Sequence, residues 1–284
     1  MTSFSCFNVD VTDGVAHIVL KRGDELNTMI PAFWRELPEI IRTLEAEAQA
    51  RVIVISSTGK HFTAGMDFSV FNSEDGLMAA DDPDGQSNGQ RREGLRRLVA
   101  TLQNTFNVLD EVRMPVLVAV QGGCLGGGID LISATDMRYC TRDAFFCIQE
   151  INLGMTADVG TFPRLCHLIP QGWVREMAYT GLRLPAEKAK EIGLVNEVYE
   201  TPEEMVEAVL ATAREIAAKA PLAVAGSKVM LNYARDHTIR DGLDYIATWQ
   251  AGMFQPADIM ESVAAKKEKR APLYRDLNSI KEVL

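Results

Sequence analysis

Three carboxylates and a run of glycines are the residues of this chain whose spacing could do chemistry. The stretch Val118-Ala-Val-Gln-Gly-Gly-Cys-Leu-Gly-Gly-Gly-Ile-Asp130 passes from a β-branched run into glycines and ends on an acid; Glu150 follows 20 residues later and Asp158 8 after that. Acids gathered in one cleft could move protons. Glycines that open a helix would leave unpaired backbone N–H groups, with no side chains in the way of a substrate oxygen. Such donors, aided by the helix dipole, stabilise a developing oxyanion. Close helix packing would explain the same glycines equally well.

Nucleotide chemistry does not fit the stretch. A dinucleotide fingerprint needs G-x-G-x-x-G, and no frame of Gly122-Gly-Cys-Leu-Gly-Gly-Gly128 supplies it. A phosphate loop needs Lys and Ser or Thr after its last Gly, whereas Gly128 is followed by Ile129 and Asp130. Each acid also has a plain structural reading: Asp130 could cap a helix, Glu150 could pair with Arg164, and Asp158 could cap a helix starting near Val159.

The elements that must position these groups read as one α/β unit of 284 residues, long enough to bury a substantial core. Phe4–Val11 and Val15–Leu20 form a predicted hairpin around Thr12-Asp13-Gly14, and a helix follows from about Pro31, which Pro38 should kink or split. Arg51–Ser56 is a β-branched run of the kind buried on both faces, and the small, partly polar segment from Ser57 to Asp67 leaves its end. Residues 72 to 92, rich in acid and glycine, read as a mobile surface loop. A helix from about Arg92 to Val112 presents Leu95, Leu98, Val99, Leu102, Phe106 and Leu109 on one face, before a strand at Val116–Val120. Short strands at Thr135–Cys140 and Ala144–Ile148 continue a parallel, crossover-connected pattern. Beyond Thr161 helices dominate, with one strand at Val195–Val198, and from Pro202 onward the chain is nearly all helix. No internal repeat is evident.

A net charge of −10 argues against a nucleic-acid partner, which would need a concentrated basic surface. The longest apolar runs are strand-sized, far short of the ~20 residues of a membrane span. The N-terminal residues lack a basic, then apolar, leader pattern, and Lys281-Glu-Val-Leu284 is no recognisable organelle address, so a cytoplasmic protein is expected. Five cysteines, without any Cys-x-x-Cys pair, read as reduced core thiols. His17, His61, His167 and His237 have no metal spacing, and no metal or redox cofactor is expected.

Taken together, Phe62-Thr-Ala-Gly-Met-Asp67, Gly122 to Asp130, and Glu150 with the glycine-containing loop after it resemble the crotonase (enoyl-CoA hydratase/isomerase) superfamily, from about Val11 to Pro272. Within it, the segment Phe146 to Thr161, with Asn232–His237 and Leu243–Trp249, is most similar to the Δ3,5-Δ2,4-dienoyl-CoA isomerases. A hydratase would carry Glu at Asp130 and Gly at Asp158. The chain departs from its relatives at Ser69, where a Lys often follows the motif acid.

The resemblance implies a crotonase-like (ββα) superhelix core over 1–200 and a C-terminal helical trimerisation region over 201–284. It also implies an oxyanion hole formed by the backbone N–H groups of Met66 and Gly127, gripping the thioester carbonyl of an acyl-CoA. The adenine end of CoA would lie against Ala64, Gly65, Met66, Asp67 and Phe68. Asp130, Glu150 and Asp158 would be catalytic, with Glu150 acting at C2 and Asp158 at C6, or the reverse, in a 1,5-proton shift. CoA is then part of the substrate, and the assembly a homotrimer or homohexamer. The rival readings are a hydratase or Δ3-Δ2 isomerase of the same superfamily and a non-catalytic acyl-CoA-binding scaffold.

Overall fold

The structure, a computed structural model, describes residues 4–71 and 89–280. The expected hairpin forms as β1 (Phe7–Thr12) and β2 (Val15–Leu20), antiparallel and in register from Phe7 opposite Leu20 to Thr12 opposite Val15. Asp13 and Gly14 turn it with positive φ at both positions, the backbone that matches the twist of the two strands.

The helix α1 (Pro31–Ala46) runs unbroken through Pro38, so the split expected there does not occur. Proline removes one N–H and leaves the carbonyl four residues earlier, that of Trp34, without its helical donor. The buried Thr105 hydroxyl donates to that carbonyl at 3.2 Å and takes over the missing bond. Thr105 belongs to a helix further along the chain, so the repair is tertiary.

The strand β3 (Val52–Ser57) is followed by the short helix α2 (Phe68–Phe71) and the long helix α3 (Gly89–Glu111). Of the acidic stretch read as a loop, residues 72–88 lie outside the described residues, and 89–92 are the first turn of α3. Leu102, Phe106 and Leu109 of its predicted stripe are buried, but Leu95 is exposed.

From β4 (Val116–Val120) the chain repeats one path. It enters β5 (Gly123–Leu125) and α4 (Gly127–Ser133), then β6 (Met137–Thr141), β7 (Phe145–Cys147), a 3₁₀ turn at Gln149–Leu153 and α5 (Thr161–Leu168). The remaining elements are α6 (Gln171–Thr180), β8 (Leu184–Pro185), α7 (Ala186–Glu191), β9 (Glu197–Tyr199), α8 (Pro202–Ala217), α9 (Pro221–Ala234), α10 (Ile239–Met253) and α11 (Pro256–Glu268). The main sheet has the order β1-β2-β3-β4-β6-β9, parallel except for β1, and a second sheet has the order β5-β7-β8. Passing from a main-sheet strand to a second-sheet strand and on to a helix is the ββα pattern expected from the resemblance.

Both faces of the main sheet are covered, which is why its strands read as near-continuous apolar runs. Val52, Val54, Leu117 and Ala119 pack against Met205, Val209 and Ala213 of α8, while Ile53, Ile55, Val118 and Val120 join the larger core with α1, α3 and α4. The helix α9 is pinned by buried Lys228, whose Nζ donates to Leu109 O, Met114 O and Asp136 Oδ2 at 2.7, 3.0 and 2.9 Å. No helix of the described residues is long and apolar enough to cross a membrane.

Replacing Thr105 by Val leaves the Trp34 carbonyl buried without a donor, at an expected cost of about 1–3 kcal/mol, whereas Thr105→Ser keeps the hydroxyl and most of the stability. Urea midpoints of the two variants measure this; equal midpoints would show that the hydroxyl does not carry α1 past its proline.

Candidate active site

Two loops meet at the ends of β3 and β4. Phe62 N–H donates to Gln121 O, Thr63 N–H to Gly123 O, and Leu125 N–H back to Thr63 O, at 2.8 to 3.2 Å. His61 adds a side-chain tie: its Nδ1 accepts from Gly123 N–H at 2.8 Å, which leaves the proton of a neutral ring on Nε2. The first loop is stiffened from below, with Thr63 Oγ1 donating to Asn27 O and accepting from Gly65 N–H. Asn27 Nδ2 holds the carbonyls of Thr58 and His61.

Within this lattice two amides stand out. Gly65 O accepts from Met29 N–H, Asp67 N–H reaches Met29 O, and Gly126 N–H reaches Cys147 O. The N–H groups of Met66 and Gly127 between them donate to no acceptor among the described residues, and both residues line one pocket. Gly127 is the first residue of α4, so its N–H has no helical partner.

The glycines serve packing as well as access. A Cβ on Gly65, which has φ +89°, would lie 2.9 Å from Leu125 O and 3.5 Å from Gly127 N; one on Gly128 would lie 2.6 Å from Thr63 Cγ2. Close packing therefore accounts for Gly65 and Gly128.

The pocket, of about 440 Å³, is walled by Trp34, Val99, Leu102, Leu153, Met155 and Val159 and receives Asp130, Glu150 and Asp158. All three predicted acids are thus brought to one cavity. No cation pairs with any of them among the described residues: Arg164 is bound to Asp110 at 2.7 Å and to Asn107 at 2.6 Å, so the alternative in which it pairs with Glu150 does not hold.

Asp130 is buried. Its Oδ1 accepts from both the N–H and the hydroxyl of Thr161, at 2.7 and 2.8 Å, and its Oδ2 has no partner. Because Thr161 opens α5, the acid that attends this helix start is Asp130; Asp158 makes no cap bond, and Gly160 occupies the N-cap. Burial raises the Asp130 pKa to about 6 against the opposing pull of Thr161. Glu150 is raised further, to about 7, by burial and then by the charge of Asp130, and its Oε2 is also without a partner. Glu150 Oε1 lies beside Gly126, 3.1 Å from where a Cβ would sit, at the Gly127 end of the pocket. Asp158 stands at the exposed edge, its main-chain carbonyl held by Gln103 Nε2 at 2.7 Å; the protein atoms that still cover its carboxyl raise its pKa.

Of the other predicted site residues, Ala64 and Gly65 line the pocket. The carboxylate of Asp67 is occupied as a brace, accepting from Ser69 N–H and Thr28 Oγ1, and hydrogen bonding from Ser69, then from Thr28, lowers its pKa. Phe68 contributes the backbone that opens α2. Thr161, Gln103 and His61 do work in the site that the sequence did not suggest, since each acts across 31 to 62 positions of chain. Cys124 is fully buried, and burial holds its thiol far above the neutral range, which removes it as a nucleophile. All five cysteines are free, four of them buried and Cys166 exposed. No group of three His, Cys, Asp or Glu that could hold a metal ion occurs among the described residues.

With this geometry in view, a family model described as Enoyl-CoA hydratase/isomerase matches residues 10–277. The chain belongs to that family. It is 43% identical over 257 residues to the mitochondrial Delta(3,5)-Delta(2,4)-dienoyl-CoA isomerase of Mus musculus, covering 90% of this chain and 77% of the relative. With the peroxisomal enzyme of the same name from Arabidopsis thaliana it shares 36% over 263 residues, 93% of each chain. Among solved structures, the enoyl-CoA hydratase of Bacillus anthracis superposes with a TM-score of 0.81 at 29% identity, covering 98% of this chain and 100% of that one. The family member from Mycobacterium smegmatis, also an enoyl-CoA hydratase, gives 0.81 at 27%, covering 95% and 98%.

One expectation is overturned here. The relatives are named mitochondrial or peroxisomal, against the cytoplasmic location read from the sequence. That reading rested on terminal composition, which says nothing about where this fold operates.

The raised pKa values have a thermodynamic consequence. A carboxyl that titrates near 6 or 7 when folded and near 4 when unfolded binds its proton more tightly in the native state, so its contribution is present below about pH 4 and lost as pH rises through about 7. Asp130→Asn keeps an acceptor for Thr161, removes one such group and lowers the Glu150 midpoint. Urea unfolding between about pH 4 and pH 7.5 should therefore show a flatter decline for the variant than for the parent; parallel declines would mean that Asp130 is not destabilised by its surroundings.

Proposed function

We infer that this chain is an enzyme of fatty acid β-oxidation that converts 3,5-dienoyl-CoA to 2,4-dienoyl-CoA. The observation that carries the reading is Asp158, a second acid lining the same apolar pocket as Glu150. The mouse and Arabidopsis relatives, both named for this reaction, support it.

The chemistry follows from the difficulty of the step. A C2 proton next to a thioester leaves only if the enolate oxygen is stabilised. The Met66 and Gly127 amides supply two unspent donors for that oxygen, each worth about 3–4 kcal/mol by analogy with measured oxyanion holes. Glu150, nearest Gly127, removes the C2 proton; at a pKa of about 7 it is ionised in part at neutral pH and returns little driving force to the acid it forms. The negative charge delocalises to C6, where protonated Asp158 delivers a proton and conjugation with the thioester is established.

Burial first, and then Asp130, hold Glu150 at a useful pKa. The charge of Asp130 penalises a second charge nearby, and the two acids titrate as a coupled pair. The apolar walls exclude water from the delocalised anion, which would otherwise be protonated at the wrong carbon. The reaction is redox-neutral and its two proton transfers are made by side chains, so no cofactor is required; CoA belongs to the substrate and enters over the Ala64–Phe68 segment. The exposed apolar residues Leu231, Ile239, Leu243, Met260 and Val263 of α9 to α11 support assembly as a trimer or a pair of trimers; light scattering should give three or six times the chain mass, and a monomer would refute it.

Purified protein given 3,5-dienoyl-CoA should form the ultraviolet-absorbing 2,4-dienoyl product. Glu150→Gln and Asp158→Asn should each lower kcat by about 10²–10⁴-fold with the KM for the thioester little changed. Water addition to a 2-enoyl-CoA without isomerisation would favour the hydratase reading; thioester binding with no turnover would favour a scaffold.

A further inference from the structure

Asp158 borders two cavities. One is the acyl pocket; the other, also about 440 Å³, lies across the 157–160 segment and is lined by polar and charged groups that include Asn107, Asp110, Arg164, His167 and Arg235. Asp158 and Val159 are common to both, whereas Glu150 and Asp130 face only the acyl pocket.

Both arginines of the second cavity are paired internally. Asp110 takes Arg164 at 2.7 Å and Arg235 at 2.9 Å, and Asn107 takes the other arm of Arg164. A cavity whose cations are already paired is poorly suited to capture an anionic ligand, but its polar walls suit water, with room for on the order of ten molecules.

The isomerase reading, on which this inference rests, creates a need for such a space. In each turnover the C2–H bond breaks to protonate Glu150, and the O–H bond of Asp158 breaks as C6–H forms. The enzyme ends with Glu150 protonated and Asp158 ionised, the reverse of its starting state, although the substrate has gained and lost one proton. Glu150 must release a proton and Asp158 must recover one before the next cycle.

We propose that the second cavity is the solvent proton entry for Asp158, so that the acid at C6 is recharged from hydronium or a buffer acid behind it while Glu150 discharges only through the emptied acyl pocket. The proton given to C6 is then of solvent origin in every cycle, and the two acids are reset by separate routes. The net proton balance is zero, one entering at Asp158 and one leaving from Glu150.

The test uses substrate deuterated at C2, turned over many times in ordinary water, with the product analysed for label position. Protium at C6 throughout is expected, and deuterium carried from C2 to C6 would overturn the proposal in favour of direct passage from Glu150 to Asp158. The route itself is read from Pro163→Trp and His167→Trp, bulky replacements one turn apart on α5 that fill the second cavity without touching the acyl pocket. Each should leave the first turnover, measured by rapid quench, unchanged and slow the steady state by about tenfold. First-turnover rates also report whether the variants fold. Steady-state rates equal to the parent in variants with an intact first turnover would refute the cavity as the entry. Absence of any first turnover in the parent protein would instead refute the isomerase reading.

Discussion

The constraint on which the site depends is the gathering of three carboxylates around an apolar cavity with no cation among the described residues paired to them. Buried charge without a partner is costly, and it is relieved here by holding protons. Asp130 and Glu150 each keep one buried oxygen without a hydrogen bond, and both titrate well above the ordinary carboxylate range. Arg164, the cation near enough to end this arrangement, is instead engaged by Asp110 and Asn107. The surrounding ion pairs leave the acids unpaired, which is what suits them to the proposed proton transfers.

Stability lost at these acids is offset by the framework beneath them. The loops that present Met66 and Gly127 are joined by backbone hydrogen bonds and stiffened by Asn27, Thr63 and His61, with glycines only where another backbone or side chain must approach. The Met66 and Gly127 amides stay unspent although Gly65, Asp67 and Gly126 beside them are paired. Donors held in place in this way need not reorient as charge develops opposite them, the property on which the proposed oxyanion role rests.

Much of this was legible in the sequence because it follows local rules. The Asp13-Gly14 turn, the two-faced β3 run and the glycine-to-helix transition at Gly127 are set by residue types and short spacings. The carboxylates were found, as was their common pocket, through motifs that hold their positions along the chain. What could not be read depends on partners distant in sequence. The unbroken α1 needs a hydroxyl 71 residues from the carbonyl it satisfies. The acceptor at the start of α5 is Asp130, 31 residues from the Thr161 N–H that donates to it. Compartment is no property of the packed chain, and there the sequence reading failed outright.

The bond between Thr105 and the Trp34 carbonyl also bears on how such a chain can change over generations. Pro38 and the residue at 105 are contingent on each other: a lineage that first exchanges the proline for an N–H-bearing residue frees position 105 to drift, whereas one that first loses the hydroxyl meets a fitness valley before it can lose the proline. The order of two conservative replacements, on helices that border the same pocket, thus decides which sequences remain reachable from this one.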